Sequence, residues 1–501
     1  MKTRIIRDTL WGDIDITDPV LTAIINMPVF QRLRRIRMTA FAQFSHPGLT
    51  GSRFEHSLGT THLLRQECFN NRNLTFNEAT EEQKFCTIIA LCHHLTFFPL
   101  SYATQPFFDV IFDRDKWTKL NNIMAFNIYE QILKTNKQFG KLHRKFALEF
   151  LSYSLGRFSD MKTKPPYYMK IGVKNFRRLK DSIYRYIFRV PTGVNFIEAF
   201  CRDLHLSGIG RNFHPSLITH GLQSTPQTDD KTIAVNVNSA IYSLETAIDL
   251  VYNDEVSSMC CLFIQRILYA TWNNSAIIIS NDVTKPLVSF ISKIRSLRNA
   301  IRQIDNNVMK INRDLNRKIV NLFLDIDDPS LLTALKKTLI NIGEYLQIVT
   351  SSRNTEKTVV ELNTLRKMIY MILYGGDTST DFGLIKVNKP EKLPNTPADM
   401  LSFQINKTES PMQDLISQHL GVSKVSDLYY PVCFQQPSIR LNHYINNLEE
   451  LYNYLHETIR GETSEIMKHT IDKIKAKYQD QVWLIYNKEY VNRKKGGSGN
   501  G

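Results

Sequence analysis

Two adjacent histidines, His93 and His94, stand in the segment CHHLTFFPLSY (92–102), which follows the apolar run FCTIIAL. A third histidine, His56, lies earlier in the segment SRFEHSLG. Imidazole nitrogens from two helices, joined by an acidic side chain, suit a divalent metal such as Zn, Fe, Mn or Ni. Adjacent residues of a helix point about 100° apart, so one pocket is expected to receive only one of the two neighbours. Structural histidines that bond backbone carbonyls have the same spacing, so these residues alone leave both interpretations open.

The elements that position these histidines are predicted to be helices. Apolar residues recur at helical spacing over most of 1–290, and strand-like alternation is scarce. Thr17, Asp18 and Pro19 form an N-cap followed by a proline in the first turn, which predicts a helix from about Pro19 to Arg35. The segment KTIAVNVNS (231–239) is the best candidate for a small hairpin.

The C-terminal part of the chain is also predicted to be helical. Apolar residues alternate at spacings of three and four, which predicts one long helix with a heptad seam: Ile294, Leu297, Ile301, Ile304, Val308, Ile311 and Leu315. The partner of this seam is either an internal antiparallel helix or another chain. Polar segments at 351–358 and 387–401 predict loops. We therefore expect a first domain over 1–290, a helical C-terminal region over 291–490 and a flexible tail over 491–501.

Composition narrows the class of protein. The chain has 501 residues and a formal net charge of +15, which favours polyanionic partners such as nucleotides, nucleic acid or acidic lipid surfaces. Its seven cysteines lack any CxxC pair, which is typical of reduced thiols in the cytoplasm or nucleus. Charges near the start argue against a signal peptide, and we expect no membrane span. Abundant Asn and Ile are typical of AT-biased genomes and indicate a parasitic or viral origin.

The segment 5–64 resembles a known family. It contains in order the patterns I-x-D-x-x-x-G-x-I, P-x-F-Q-R-L-R and R-F-E-H-S-L-G. These are similar to the opening of HD-domain phosphohydrolases of the sterile-alpha-motif/HD-domain dNTP triphosphohydrolase type, and the likeness continues through ALCHHL (90–95), FCRDLHLSGIG (200–210) and 238–256. The resemblance implies a mainly α-helical HD-domain fold over roughly the first 290 residues, with a helical C-terminal extension.

The resemblance also implies a metal site, and this sequence departs from it. Family members hold the metal with a His, a His-Asp doublet and a later Asp. The first ligand matches His56 and the second matches His93, whereas the doublet Asp falls on His94 and the later Asp on Asn195. A hard divalent cation therefore loses both anionic ligands. We expect a vestigial metal site and no cofactor.

The phosphate-facing positions of the family have changed too. Two histidines fall on Phe97 and Tyr102, and a lysine falls on Phe196. The His and the basic residue expected after the tyrosine of VYNDEV are acidic here, Asp254 and Glu255. Three positions match the substrate pocket and are retained: Arg53, Asp203 and Tyr252. Hydrolysis of a triphosphate needs a Lewis acid and cationic groups, so the sequence predicts a pseudoenzyme that binds a nucleotide, a nucleic acid or a protein partner.

The alternative is an active metal-dependent (deoxy)nucleoside triphosphate phosphohydrolase with unusual ligands. In that case His94 supplies a second imidazole beside His93, and a three-histidine site holds Zn, Fe, Mn or Mg. The longer reach of a histidine in the place of an aspartate argues against this geometry.

The family resemblance implies a regulatory nucleotide site as well. Arg4 lies in the N-terminal segment of that site, and Gln31 and Arg34 match its guanine-reading and phosphate-facing positions. The aspartate expected beside them is Asn26. The alternative is that the run of Arg32, Arg34, Arg35 and Arg37 forms a solvated helix face. Two further basic clusters, at 174–189 and at Arg295, Arg298 and Arg302, suit either single-stranded nucleic acid or a charged face that flanks a core. Family members assemble through the HD domain, so we expect a homo-oligomer.

Overall fold

The computed structural model describes most of 5–137, 181–209, 246–273 and 282–375, together with 382–388, 432–435, 481–488 and scattered single positions. This part of the chain is mainly α-helical, which confirms the predicted fold class. Among the described residues, no helix combines the length and the apolarity needed to cross a bilayer. The six cysteines whose side chains are described form no disulfide. The hairpin predicted at 231–239 and the tail at 491–501 lie outside the described residues.

The longer helices follow one another along the chain with short 3-10 and π turns between them. In chain order they are α1 (Pro19–Ile25), α2 (Pro28–Gln31), α3 (Arg53–Leu63), α4 (Glu81–Cys92), α5 (Gln105–Ile111), α6 (Arg114–Thr135), α7 (Val194–Ser207), α8 (Glu255–Trp272), α9 (Lys285–Arg302), α10 (Arg313–Leu324), α11 (Asp328–Val349) and α12 (Glu356–Tyr374). The 3-10 turns cover Arg32–Arg35, Ala42–Phe44 and Ser101–Ala103, and the π turns cover Leu64–Cys68, Tyr184–Phe188 and Ile248–Tyr252.

In the described part of the chain, two antiparallel sheets accompany the helices. Strands β1 (Ile5–Asp8) and β2 (Gly12–Asp15) pair as a hairpin, in which Asp8 faces Gly12. The turn is closed by the Asp8 carboxylate, which accepts from the backbone N–H groups of Leu10 and Trp11. A three-stranded sheet has the order β3 (Phe382–Asn388), β5 (Gln481–Asn487), β4 (Val432–Gln435). This second sheet lies in the C-terminal region that was predicted to be helical, although its strands are rich in β-branched and aromatic residues.

The predicted helix from Pro19 to Arg35 is wrong in its extent. The Asp18 side chain caps its start as expected, accepting from the backbone N–H groups of Val20 and Leu21. The helix ends at Ile25, because Pro28 forces the preceding Met27 into an extended conformation with ψ of 138°. A second short helix and a 3-10 turn then cover the rest of the segment.

The predicted long heptad helix is also wrong. Helix α9 ends at Arg302, and α10 begins at Arg313. The intervening residues include Asp305, whose carboxylate accepts from the backbone N–H of Asn307 and stabilises a turn. Several residues of the seam are buried in the core of this same chain: Ile294, Leu297, Ile301, Ile304 and Ile311. Because α9 packs on α6, α8, α10 and α11, the internal interpretation of the seam is the one that the structure supports.

One hydrophobic cluster extends from Ile14 to Phe382 and joins the two predicted regions. Asp328, the first residue of α11, ties them at one buried point. One of its carboxylate oxygens accepts from the backbone N–H of Leu100 at 2.7 Å, and the other accepts from that of Arg37 at 2.8 Å. Leu100 and Ser101 have positive φ angles of 57° and 48°. The buried carboxylate of Asp328 therefore supports a strained backbone segment just after the paired histidines.

Candidate functional site

Three helices bring the predicted metal positions together. A capping box at Ser52 and Glu55 begins α3, which carries His56, and a second capping box at Thr80 begins α4. His93 follows directly after α4, and α7 supplies Asn195. The sequence prediction thus identified side chains that are neighbours in space although they lie far apart in the chain.

The three histidines form a compact buried cluster. One potential ligand nitrogen from each ring lies within 4.8 Å of those from the other two. The ring centroids of His93 and His94 are 3.7 Å apart, and that of His56 lies 4.6 Å from His94 and 5.9 Å from His93. Both adjacent histidines therefore face the same site, which differs from the expectation for a regular helix. The reason is that α4 ends at Cys92, so the pair lies beyond the helix.

Asn195 connects the rings of His56 and His93. Its side-chain oxygen Oδ1 lies 2.9 Å from Nε2 of His56 and 2.7 Å from Nε2 of His93. The other ring nitrogen of His93, Nδ1, lies 2.9 Å from the carbonyl oxygen of Ala90. Both histidines therefore direct the same kind of ring nitrogen at one amide group.

A network of charges supports His56, and we call it the Glu198 network; its members are Asp8, Trp11, His56, Glu198 and Arg202. Nδ1 of His56 bonds the Glu198 carboxylate, which also accepts from Trp11 Nε1 at 3.1 Å and from Arg202 Nε at 2.8 Å. Arg202 in turn donates to Asp8 at 2.9 Å. The network fixes the orientation of the His56 ring through a buried, hydrogen-bonded ion pair.

A second group of residues surrounds His94, and we call it the Arg53 enclosure; its members are Arg53, His94, Phe97, Ser101 and Tyr102. The Arg53 guanidinium donates to Ser101 Oγ at 2.9 Å and lies 3.2 Å from Nε2 of His94. It also lies over two rings, 4.3 Å from the centroid of Phe97 and 4.8 Å from that of Tyr102. The two aromatic residues that replace family histidines thus pack against the retained arginine.

The buried charges and rings have shifted pKa values. Burial lowers the pKa of His93 to about 3, and the neighbouring His56 and the Arg53 charge act in the same direction. Burial likewise lowers the pKa of His56 below its ordinary value. Burial opposes the charge of Glu198, but Arg202 and His56 together hold the pKa of its carboxyl well below the usual range. At neutral pH the cluster therefore contains an ionised Glu198 and neutral imidazoles.

Three features of this arrangement oppose a bound divalent cation. The groups that could serve as ligands are neutral: three imidazoles and an amide. Nε2 of His94 accepts from Arg53, so its proton is on Nδ1 and neither nitrogen has a lone pair to spare while that bond is kept. The charges of the network and the enclosure already sum to zero, because the carboxylates of Asp8 and Glu198 offset the guanidiniums of Arg53 and Arg202. An added dication would leave two uncompensated positive charges in a buried site.

The other residues matched to the substrate pocket have structural partners. Tyr252 donates its hydroxyl to the Asp203 carboxylate at 2.6 Å, and both side chains are buried. Phe196 stacks on Phe200 at 5.6 Å between ring centroids. Asp254 caps α8 by accepting from the backbone N–H of Ser257 at 2.7 Å. The acidic replacement at this last position therefore stabilises a helix start.

The predicted regulatory site is described only in part, because Arg4 lies outside the described residues. Gln31 donates to the Ile25 carbonyl at 2.6 Å and accepts from Arg34 at 2.9 Å. The Arg34 guanidinium lies 3.5 Å from the centroid of the Phe54 ring. Arg34 is exposed, and Asn26 is the C-cap residue of α1.

The alternative interpretation of the arginine run as a solvated face is wrong for Arg32. This side chain is buried and donates to the carbonyl oxygens of Phe97 and Ile326. Arg35 is exposed and pairs with Asp327 at 2.8 Å.

Of the other basic clusters, the segment 174–189 lies mostly outside the described residues. Arg295 and Arg298 lie 5.2 and 5.6 Å from the centroid of the Trp272 ring.

Of the Glu198 network, the sequence pointed to His56 and gave no prediction for the other four members. Its local signal is the spacing of Asn195, Glu198 and Arg202, which places three polar side chains on one face of the otherwise apolar helix α7. A second signal is Gly59 in α3. A Cβ atom at that position would lie 2.2 Å from a Glu198 carboxylate oxygen and 2.8 Å from Trp11 Nε1. The glycine is needed because the network approaches the backbone of α3.

Comparison with known proteins gives matches over part of the chain. No protein-family model matches. The chain is 27% identical over 226 residues to deoxynucleoside triphosphate triphosphohydrolase SAMHD1 of Gallus gallus, which covers 42% of this chain and 35% of that protein. It is 26% identical over 223 residues to the Homo sapiens protein, with 42% and 34% covered. A SAMHD1 homolog of Dictyostelium discoideum is 34% identical over 111 residues, with 22% and 21% covered.

The matched regions thus span about a third or less of the length of these relatives. Among solved structures, a phosphohydrolase from Bacteroides thetaiotaomicron superposes with a TM-score of 0.48 at 16% identity, covering 87% of each chain. The sequence similarity to SAMHD1-type proteins supports a relationship between this chain and the HD-domain phosphohydrolases.

Proposed function

We propose that this chain is a dNTP triphosphohydrolase-like HD-domain protein that does not hydrolyse nucleotides and acts by binding. The observation that carries the proposal is the amide of Asn195, which contacts Nε2 of both His56 and His93. Hydrolysis by this family's chemistry needs a Lewis acid that stabilises charge on the phosphoryl oxygens. An amide at that place supplies no such charge.

The Arg53 enclosure supports the same proposal from the phosphate side. Arg53 is buried, with its guanidinium between Ser101, His94 and the rings of Phe97 and Tyr102. To reach a phosphate it would have to give up these contacts. Neither phenylalanine nor a packed tyrosine replaces the hydrogen bonds and charge that histidines direct at a phosphoryl group.

The test is a combined metal and turnover measurement. Purified protein is analysed for Zn, Fe, Mn and Ni, and the release of triphosphate from dGTP is then followed with Mn²⁺ added. We expect no metal in stoichiometric amount and no release above that of the His93→Ala variant. One metal ion per chain, with turnover that His93→Ala abolishes, would overturn the proposal.

The second candidate is an active phosphohydrolase with a three-histidine metal site. It is favoured by one observation, the mutual distances within 4.8 Å between ligand nitrogens of His56, His93 and His94. In that case a divalent Zn, Fe, Mn or Mg ion would supply the Lewis acid, and His94 would have to release Arg53. Tight Zn²⁺ binding that His94→Ala weakens as much as His93→Ala would favour this candidate.

For the binding function we propose a polyanion, either a nucleotide or a nucleic acid, on the exposed arginines beside Gln31. The net charge of +15 and the exposure of Arg34 and Arg35 support this choice. The buried Arg32 is excluded from it. Each neutralised phosphate releases counterions, so affinity should fall steeply with salt, at a log-log slope of about −0.7 to −0.9 per contact.

The experiment compares binding of GTP, single-stranded RNA and single-stranded DNA from about 50 to 300 mM salt, where the Debye length shrinks from about 14 to 6 Å. Replacing Arg34, Arg35 and Arg37 with Ser should weaken binding and flatten the salt slope. The matched control replaces three exposed basic residues of α11 and α12 with Ser: Lys336, Lys337 and Arg366. Equal binding by the two triple variants, or no binding at the lowest salt, would leave a protein partner as the ligand.

We also propose that the chain forms a homo-oligomer, as the family resemblance implies. The heptad seam of α9 gives this no support, because its residues are buried within the chain. Light scattering over a range of protein and nucleotide concentrations should show at least a dimer. A monomer under all these conditions would refute the proposal.

A further inference from the structure

The hydrogen bonds around His56 and His93 determine where their protons lie. Nδ1 of His56 contacts the Glu198 carboxylate, and Nδ1 of His93 contacts the Ala90 carbonyl. A carboxylate and a carbonyl accept hydrogen bonds and never donate them. Both Nδ1 atoms must therefore carry a proton, and in a neutral imidazole this leaves Nε2 as an acceptor with a lone pair.

The alternative is that both rings are protonated on both nitrogens. That arrangement would place two imidazolium rings 5.9 Å apart in a buried site, with the Arg53 guanidinium beside the cluster. Three cations at this spacing repel one another strongly in a medium of low dielectric constant. Both rings are consequently neutral, and two acceptor nitrogens face the same amide group.

Two acceptors that converge on one atom require a group with two protons. The atom that lies between the two rings is Oδ1 of Asn195, which has no proton to give. The amide oxygen and nitrogen have nearly the same shape, so a rotation of the amide by 180° puts its NH2 group, with two protons, in that place. We propose that Asn195 presents Nδ2 to both histidines and that this NH2 group stands where the family resemblance implies a divalent cation, so that the site excludes metal by its own hydrogen bonds. This inference rests on the proposed function, because it supplies the reason for the absence of hydrolysis.

The groups that accept hydrogen bonds from the Nδ1 atoms of His56 and His93 are consistent with this arrangement. In metal sites a ligating histidine usually donates its second ring nitrogen to a carboxylate or a carbonyl, which fixes the tautomer and the ring orientation. Glu198 and Ala90 provide that support here. The same fixed lone pairs that would bind a metal instead accept the two N–H groups of Asn195. The arrangement of the histidines is retained while the electrophile has changed from an ion to an amide.

Charge explains why the amide is favoured over an ion. The Glu198 network and the Arg53 enclosure together balance two carboxylates against two guanidiniums. A neutral NH2 group keeps that balance, whereas a dication would disturb it. Replacing the amide by a carboxylate of nearly the same shape reverses this preference. In the Asn195→Asp variant a carboxylate oxygen faces two lone pairs, and only a cation or protonation of the rings relieves the repulsion.

The first experiment measures metal uptake by the full chain. Wild type, Asn195→Asp and Asn122→Asp are incubated with Zn²⁺, passed through a desalting column and analysed for bound metal. Asn122 is a matched control, since it is a buried asparagine on α6 that bonds the Asn306 carbonyl outside the cluster. We expect Asn195→Asp to retain close to one Zn²⁺ per chain, the other two proteins to retain at most a tenth of that, and His93→Ala to abolish the gain.

A second measurement uses the wild-type protein, so its result does not depend on whether a variant folds. Neutron diffraction from deuterated crystals locates the protons on the Asn195 amide and on both imidazoles. We expect two deuterons on the amide atom between the rings and none on Nε2 of His56 or His93. An amide oxygen between two deuterated Nε2 atoms, or an Asn195→Asp variant that folds but retains no more Zn²⁺ than Asn122→Asp, would overturn the inference. Turnover by the wild type would instead overturn the proposed function, so the two failures are distinguishable.

Discussion

The Glu198 network and the Arg53 enclosure each contain one arginine, and both arginines have a relative exposure of 1%. Arg202 lies between the carboxylates of Asp8 and Glu198. Arg53 instead lies between aromatic rings, a hydroxyl and an imidazole. Burial opposes the charge of Arg202, but Glu198 and Asp8 raise the pKa of its guanidinium above the ordinary value.

The different surroundings of the two arginines indicate how each of them affects the charge of the histidine cluster. Arg202 orients Glu198 and through it His56, and the charges of Arg202 and Glu198 shift the pKa of His56 in opposite directions. The charge of Arg53 acts across the cluster, because after burial it is a further cause of the lowered pKa values of His56 and His93. The network therefore orients His56 and acts on its pKa through charges of both signs, whereas the charge of Arg53 disfavours a second positive charge on either histidine.

The largest effect is expected from Glu198→Ala. Removing this carboxylate takes an acceptor from His56 and Trp11 and leaves Arg202 with Asp8 as its remaining carboxylate. Breaking a buried ion pair costs about 3 to 5 kcal/mol. Urea unfolding measures the change in the free energy of unfolding. The control is Glu344→Ala on the exposed face of α11, which should change the free energy of unfolding by less than about 0.5 kcal/mol. If Glu198→Ala lowers the free energy of unfolding no more than Glu344→Ala does, the Glu198 network does not stabilise the fold.

A smaller loss of stability is expected from Arg53→Met. The methionine side chain can keep the contacts with Phe97 and Tyr102, while the lost hydrogen bonds to Ser101 and His94 cost about 1 to 3 kcal/mol. Removal of the positive charge should also raise the pKa of His93 from its present value of about 3. Titration of the ring followed by NMR checks the shift. An unchanged His93 pKa would show that the charge of Arg53 has no effect at His93.

Gly59→Ala tests the network without changing any charge. The added Cβ atom would lie 2.2 Å from a Glu198 oxygen and 2.8 Å from Trp11 Nε1, so these groups must shift. Overpacking of this kind costs about 1 to 3 kcal/mol. Gly343→Ala in α11 is the control, since no neighbouring atom lies within 4 Å of its Cβ position. Thermal unfolding should show a lower Tm for the first variant and an unchanged or higher Tm for the second.

The smallest expected effect is on the pH dependence of stability, to which two buried carboxylates, Glu198 and Asp328, contribute in opposite directions. Arg202 and His56 lower the pKa of Glu198 despite its burial, so its stabilising contribution is present above pH 4.5 and is lost as the pH falls toward its folded pKa. Burial raises the pKa of Asp328 from 3.8 to about 6, so the folded state binds an extra proton between these values. Asp328 thus makes the protein less stable as the pH rises from 4 to 6, by roughly 1 to 2 kcal/mol.

Asp328→Asn should remove this dependence. Unfolding measured in urea at pH 4, 5, 6 and 7 should show a flatter pH profile above pH 4 for the variant, which is less stable overall because an amide has one acceptor oxygen for two backbone N–H groups. An unchanged slope in this range would mean that another group causes it. Loss of stability below pH 4.5 should persist in the variant, since it comes from Glu198.

Local sequence signals predicted much of the site and little of its support. Helix caps at Asp18 and the residue types at His56 and His93 are readable in short windows, as is the likeness of the segments that contain them. Arg202 and Asp8 were missed because their roles depend on contacts between distant segments. The heptad prediction failed because spacing was read past the turn at Asp305, where an aspartate side chain competes with the helical backbone. Burial of Arg32 was equally invisible, since its partner is the carbonyl of Ile326.

The carboxylate of Asp328 has a consequence for how the chain is made. Its two hydrogen bonds serve the backbone of Leu100 and Arg37, which leave the ribosome more than 220 residues earlier in synthesis. Until Asp328 emerges, those buried N–H groups have no carboxylate to accept from them and the strained turn at Leu100 is unsupported. We therefore expect a fragment that ends at residue 290 to be less stable than the full chain. During synthesis the backbone beside the histidine cluster should gain its full support only when α11 has emerged, so we expect the two predicted regions to unfold in one cooperative step.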